Sequence, residues 1–220
     1  MRIRFKKWAR PELEASKFYI DNPEEYKTKW KSLYSKKQPF HIELGCGKGS
    51  FISQLALKNQ NVNYLAIDLV DAMLGLAKRK IEELYNEQNI PVENVYLTRY
   101  DIERIANVLD KQDKIERIYI NFCNPWPRGK HKKKRLTHTR QLETYKTFLT
   151  SKGEIYFKTD DDELFNESLT YFKESGFDVL KCTFDLEKEP DFWDNIETEH
   201  EKMFKEQGIK IKALIAQKND

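Results

Sequence analysis

The chain has 220 residues, 39% hydrophobic and 34% charged, which suits one domain, or a domain with a short extension, around a continuous core. Its longest apolar runs are strand-sized, far below the roughly 20 residues of a membrane span. The opening MRIRFKKWARPELEAS lacks an apolar signal core, and Cys46, Cys123 and Cys182 are too few and scattered for a disulfide framework or zinc site. The expectation is a soluble, cytoplasmic protein with reduced thiols and no metal, organised as one domain over 1–220.

In chain order, the first feature is charge. Residues 1–20 read as a basic N-terminal arm, with Arg2, Arg4, Lys6, Lys7 and Arg10 and no acid in the first ten positions. A second acid-free run holds Arg128, Lys130, Lys132, Lys133, Lys134 and Arg135. Setting these 11 of the 39 basic residues aside leaves 28 against 36 acidic ones, so an acidic body carries two concentrated basic segments. Interleaved with Phe5, Trp8 and His131, they suit a polyanionic partner better than a uniformly solvated surface.

Strands are expected at 40–44, 64–68, 95–99, 117–122, 154–158, 177–184 and 209–216. Between them lie helical patterns, clearest in the stripe Val70, Met73, Leu74, Ala77, Ile81, Leu84, Tyr85, with Lys78, Arg79 and Lys80 turned to solvent. Leu164, Phe165, Ser168, Leu169 and Phe172 repeat the theme. Alternation of this kind implies an α/β, Rossmann-like fold: a mostly parallel seven-stranded sheet with helices on both faces and ligands at the carboxyl ends of the strands. A polar stretch and a shorter helix separate the last two strands, so an antiparallel edge is expected there.

The segment HIELGCGKGSF runs from the first of these strands through Gly45, Gly47 and Gly49 into a helix. Such glycines permit a tight turn and close backbone approach to a ligand, and the helix start offers unpaired N–H groups. Spacing alone also fits a dinucleotide. Glu43 discriminates, because a carboxylate two residues before the first glycine repels a pyrophosphate and attracts an ammonium, which favours S-adenosylmethionine. Asp68, ending the next strand, suits ribose hydroxyls. Asp101, after the third, suits an exocyclic amine or, equally, a helix N-cap.

After the fourth strand comes NFCNPWPRGKHKKKRLTH, where Pro125 and Pro127 restrict the backbone around Trp126 just before the cationic run. Trp126 belongs either at the mouth of a site or, as lone tryptophans more often do, in the core; the neighbouring charges favour the mouth.

Taken together, MRIRFKKWA, NPEEYKTKW, IELGCGKGSF, YLAID, NFCNPWP with its basic tail, IYFKTD and ETEHEKMF resemble, in order and over nearly the whole length, the bacterial tRNA (guanine-N7-)-methyltransferase family of the TrmB type. The resemblance implies a methyltransferase with S-adenosylmethionine bound by Glu43, Asp68 and Asp101 along the Gly45–Gly47 loop. It implies a catalytic or cofactor-adjacent position at Asn124, and tRNA contacts by Arg128, Asp160, Thr198, Glu199, His200 and Glu201. The implied product is 7-methylguanosine at guanine 46 of the variable loop, made by a monomer or homodimer without metal or membrane.

Two positions depart from the family. Asn124 stands where many members carry aspartate, and His200 where tyrosine is common. An amide orients a base or donates to its O6, yet neither takes a proton nor neutralises a cation. Guanine N7 needs no deprotonation, so positioning is expected to provide most of the rate. Alternatives are an exocyclic-amine methyltransferase, to whose Asn-Pro-Pro-aromatic motif Asn124-Pro125-Trp126 is similar, a catalytically silent RNA-binding module, and, more distantly, a dinucleotide oxidoreductase.

Overall fold

The computed structural model describes residues 5–219, so Arg2 and Arg4 lie outside the described residues. Two compact units divide the chain, one up to Asp113 and one from Lys114.

The first unit contains strands β1 (Tyr19–Ile20), β2 (Phe40–Leu44), β3 (Asn63–Asp68) and β4 (Val95–Arg99), in the order β1-β4-β3-β2. Every pairing is parallel. All five residues of β2 are buried, as expected of a strand covered on both faces. Helices α2 (Ser50–Lys58) and α3 (Asp71–Glu87) cross between successive strands, and α1 (Ala9–Glu14) packs on α3. The stripe on α3 faces inward as its periodicity predicts, with Leu74, Ala77, Ile81 and Tyr85 buried. Gly75 explains why α1 comes so close: a Cβ there would lie 2.7 Å from the Trp8 ring and 3.1 Å from Ala9 Cβ.

That packing alters the reading of the basic segment. Trp8 carries the Arg79 guanidinium 3.8 Å from its ring centroid, and Arg79 is also bound to Glu12. Arg10 is tied to Glu14 at 2.6 Å and to Asp21. Of this segment's described charges, Lys6 and Lys7 are exposed, as is Phe5.

The second unit contains β5 (Ile115–Asn121), β6 (Leu149–Thr159), β7 (Phe177–Thr183) and β8 (Lys212–Lys218), in the order β5-β6-β8-β7, with helices α4 (Thr139–Lys146), α5 (Asp162–Glu174) and α6 (Glu199–Glu206). β5 and β6 are parallel, while β8 runs antiparallel to both its neighbours. The expected antiparallel pairings therefore fall at this end, with β8 inserted between β6 and the outermost strand β7. On α5, Leu164, Phe165, Ser168 and Phe172 are buried, again the stripe read from sequence.

The described residues hold eight strands rather than seven. The addition is β1, whose Tyr19 and Ile20 pair with Leu97 and Thr98. Two residues are too few to show an alternation.

Candidate functional site

In the first unit, the parallel run of β2, β3 and β4 brings Glu43, Asp68 and Asp101 to the same edge. Glu43 is buried near the end of β2. Asp68 braces the glycine loop: its carboxylate accepts from the backbone N–H of Gly47 and of Val70, each at 2.9 Å. Each oxygen retains acceptor capacity beyond that bond. Burial raises the Asp68 pKa, opposed by those backbone donors. Burial, then the negative fields of Asp68 and Glu43, pushes the Cys46 thiol well above its usual range, so this edge carries an acidic field.

The loop owes its shape to glycine at two positions in particular. Gly49 has φ +73°, and a Cβ would stand 2.6 Å from Ala77 Cβ on α3, so only glycine seats α2 against α3. Gly47 has φ +53° with no heavy atom within 4 Å of an ideal Cβ, leaving open space beside the backbone. An open glycine wall and an acidic field fit a cationic methionine-containing nucleoside and oppose a pyrophosphate. Asp101 accepts from Glu103 N–H at 3.0 Å as the N-cap of the short helical turn Ile102–Asn107, so the capping role weighed from sequence is real.

In the second unit, the segment after β5 is tightly shaped. Phe122 and Trp126 both take left-handed backbone conformations, φ +51° and +43°, uncommon for aromatic residues. Asn124 is exposed, and its Oδ1 accepts from Trp126 N–H at 3.1 Å, closing a local turn. A backbone donor requires oxygen there, so the NH₂ group faces away. Trp126 lies at the surface, half-buried, tilted against His131 with ring centroids 5.8 Å apart and with Lys134 5.4 Å from its ring.

The cationic run that follows is divided. Arg135 is fully buried, donating to Pro125 O at 2.6 Å and pairing with Glu167 at 2.5 Å and Glu163 at 3.3 Å. Lys132 pairs with Glu163 at 2.7 Å and with Glu167. Arg128, Lys130 and Lys133 are exposed. Two of the six cations, Arg135 and Lys132, thus fasten this segment to α5, a role that a run of similar cations conceals; the visible signal is two glutamates one helical turn apart on α5.

The other expected RNA-facing residues gather around the end of β6. Asp160 follows that strand; burial raises its pKa, opposed by charges that include Lys212 and His200. His200 is exposed and stacks on Phe122, centroids 5.9 Å apart. Glu199 is exposed as well. Thr198 and Glu201 are buried instead, forming the reciprocal capping box at the start of α6. Burial pushes the Cys123 thiol up to about 12. Among the described residues no cluster could hold a metal ion, and no helix is long and apolar enough to cross a membrane.

The fold and the glycine edge define a class, that of the Rossmann-like methyltransferases. The solved 16S rRNA methyltransferase KamB superposes with a TM-score of 0.63 over 87% of this chain and 93% of its own at 12% identity, a likeness of fold alone. A solved Listeria monocytogenes protein described as a "putative S-adenosylmethionine dependent methyltransferase" gives 0.55 over 90% of this chain and 99% of its own at 15% identity. Residues 37–214 match the family described as "Putative methyltransferase".

The finer assignment comes from relatives. A Clostridium beijerinckii tRNA (guanine-N(7)-)-methyltransferase is 58% identical over the full length of both chains, and one from Acetivibrio thermocellus is 50% identical over 99% of this chain and all of its own. The chain belongs to the tRNA (guanine-N(7)-)-methyltransferase family.

Proposed function

We propose that this chain, acting as a single methyltransferase domain in the cytoplasm, as a monomer or a homodimer, transfers a methyl group from S-adenosylmethionine to N7 of guanine 46 in the tRNA variable loop. The observation that carries the reading is 58% identity, end to end, to a relative named tRNA (guanine-N(7)-)-methyltransferase.

The cofactor supplies an electrophilic methyl group on a sulfonium centre. Glu43 attracts its ammonium, Asp68 accepts from the ribose hydroxyls through its remaining lone pairs, and Asp101 receives the adenine amine. Gly45 and Gly47 let the backbone approach. On the RNA side, Arg128 with exposed Lys130 and Lys133 holds phosphates, which fixes register without reading sequence. Asn124 presents its NH₂ group as a donor suited to guanine O6, since its oxygen is held by Trp126 N–H. No base is needed, because N7 already offers a lone pair; the side chains orient the purine, and Asp160, within the electrostatic reach of His200, favours the cation that forms.

The test is incubation with labelled S-adenosylmethionine and unmodified tRNA, followed by nucleoside analysis. 7-Methylguanosine is expected. An N2-methylated or other exocyclic product would transfer the enzyme to the amine class, and cofactor binding without any product would make it a silent module.

A further inference from the structure

Lys158 is fully buried, an uncommon place for an ammonium. It stands near the end of β6, and its Nζ donates to Glu201 Oε2 at 2.6 Å, Asn195 Oδ1 at 2.9 Å and Ile196 O at 2.9 Å. Three donors thus meet three acceptors, all from the connection to α6 and its first turn. Glu201, equally buried, spends its other oxygen on Asn195 Nδ2 at 2.7 Å, and its backbone N–H on Thr198 Oγ1 at 3.1 Å. The net clamps the 195–201 segment onto β6. It sets His200 against Phe122, whose ring lies 5.9 Å from the same Nζ, and within the electrostatic reach of Asp160.

We propose that Lys158 is a positioning residue for methyl transfer, and that Glu201 acts through it rather than on the RNA: the buried pair fixes the His200–Asp160 surface against which tRNA is placed. The inference rests on the reading of that surface as tRNA-facing. A carboxylate already accepting bonds from Lys158 and Asn195, within a capping box, has little left for a solvent-side ligand. A purely stabilising part is a poor account, because apolar residues of similar volume usually replace such a buried pair without loss of stability. What they cannot replace is direction: three oriented hydrogen bonds fix where the segment lies, and a displacement of about 1 Å costs on the order of 100-fold in rate.

The experiment compares Lys158→Met, Glu201→Gln, Glu201→Ala and the double variant Lys158→Met/Glu201→Leu with the parent. The double variant leaves no uncompensated charge and keeps the test usable if Lys158→Met fails to fold. Its melting temperature and S-adenosylhomocysteine affinity should stay near the parent's, while kcat/KM for tRNA falls roughly 10- to 100-fold. Glu201→Gln, which keeps an acceptor for Lys158, should lose clearly less than Glu201→Ala. A double variant with parental kcat/KM overturns the inference, as does a Glu201→Gln as slow as Glu201→Ala, which would mean the carboxylate acts on the substrate directly. A parent that methylates no tRNA defeats the functional reading instead, so the two failures are distinguishable.

Discussion

At the ends of β2 and β3, a buried carboxylate, Glu43, and a half-buried one, Asp68, stand beside a loop of glycines; after β5, the cations of residues 128–135 split between the interior and the surface. The first region is shaped by backbone: positive φ angles, N–H groups on Asp68, a missing Cβ. The second is shaped by side chains, with Arg135 and Lys132 locked to α5 and only Arg128, Lys130 and Lys133 left to solvent. The comparison teaches that a carboxylate at the end of a parallel strand has its surroundings set by the fold, whereas a cation in a run has its role set by whichever acid the chain brings back to it.

The largest effect expected from breaking the second region is at Asn124. Asn124→Ala removes both the acceptor for Trp126 N–H and the outward NH₂, and single-turnover methylation should slow by about 10- to 1,000-fold. Asn124→Asp retains the acceptor and therefore the turn, so it should keep substantial activity. An alanine variant as fast as the parent would remove position 124 from the site; a dead parent rescued only by aspartate would show that a carboxylate is obligatory.

Next comes Arg135→Ala, which strands the Pro125 carbonyl and empties a fully buried side-chain site, and should cost roughly 3 kcal/mol in denaturant unfolding. Lys133→Ala, on the same run but exposed, should change stability by less than about 0.5 kcal/mol. Equal effects would erase the division between inner and outer cations.

The first region is sharpened by Asp68→Ala and Gly45→Val, each expected to weaken S-adenosylhomocysteine binding by roughly tenfold or more in calorimetry while sparing RNA affinity. Unchanged affinity in both would undo the cofactor edge. Smallest are Lys130→Ala and Lys133→Ala, each lowering the slope of log tRNA affinity against log salt by about 1, less on single-stranded segments. A constant slope would mean these lysines are solvated and idle.

Much of this was legible in sequence because it depends on neighbours. Strands such as Asn63–Asp68 carry a contiguous apolar run, Tyr64–Ile67, the α3 stripe has its helical period, and Glu43-x-Gly45-x-Gly47 is a pattern of five neighbouring residues. β1 was not legible because two residues carry no period. Nor was the burial of Arg135, whose partner Glu167 is 32 residues away, or that of Lys158, 43 residues from Glu201. Such pairings are decided when the chain packs, and nothing local marks one lysine of FKTD, or one arginine of HKKKR, as internal. The capping box at Thr198 and Glu201 was within reach, since its three-residue spacing is a local signal that a resemblance to RNA-contacting positions overshadowed.

The most direct test of the account is single-turnover methylation of two otherwise identical unmodified tRNA transcripts, one with guanine and one with adenine at position 46, under saturating S-adenosylmethionine. Transfer to the first transcript alone, recovered as 7-methylguanosine, is the predicted result; equal transfer to both, or a methyl group on any other atom of guanine, would contradict it.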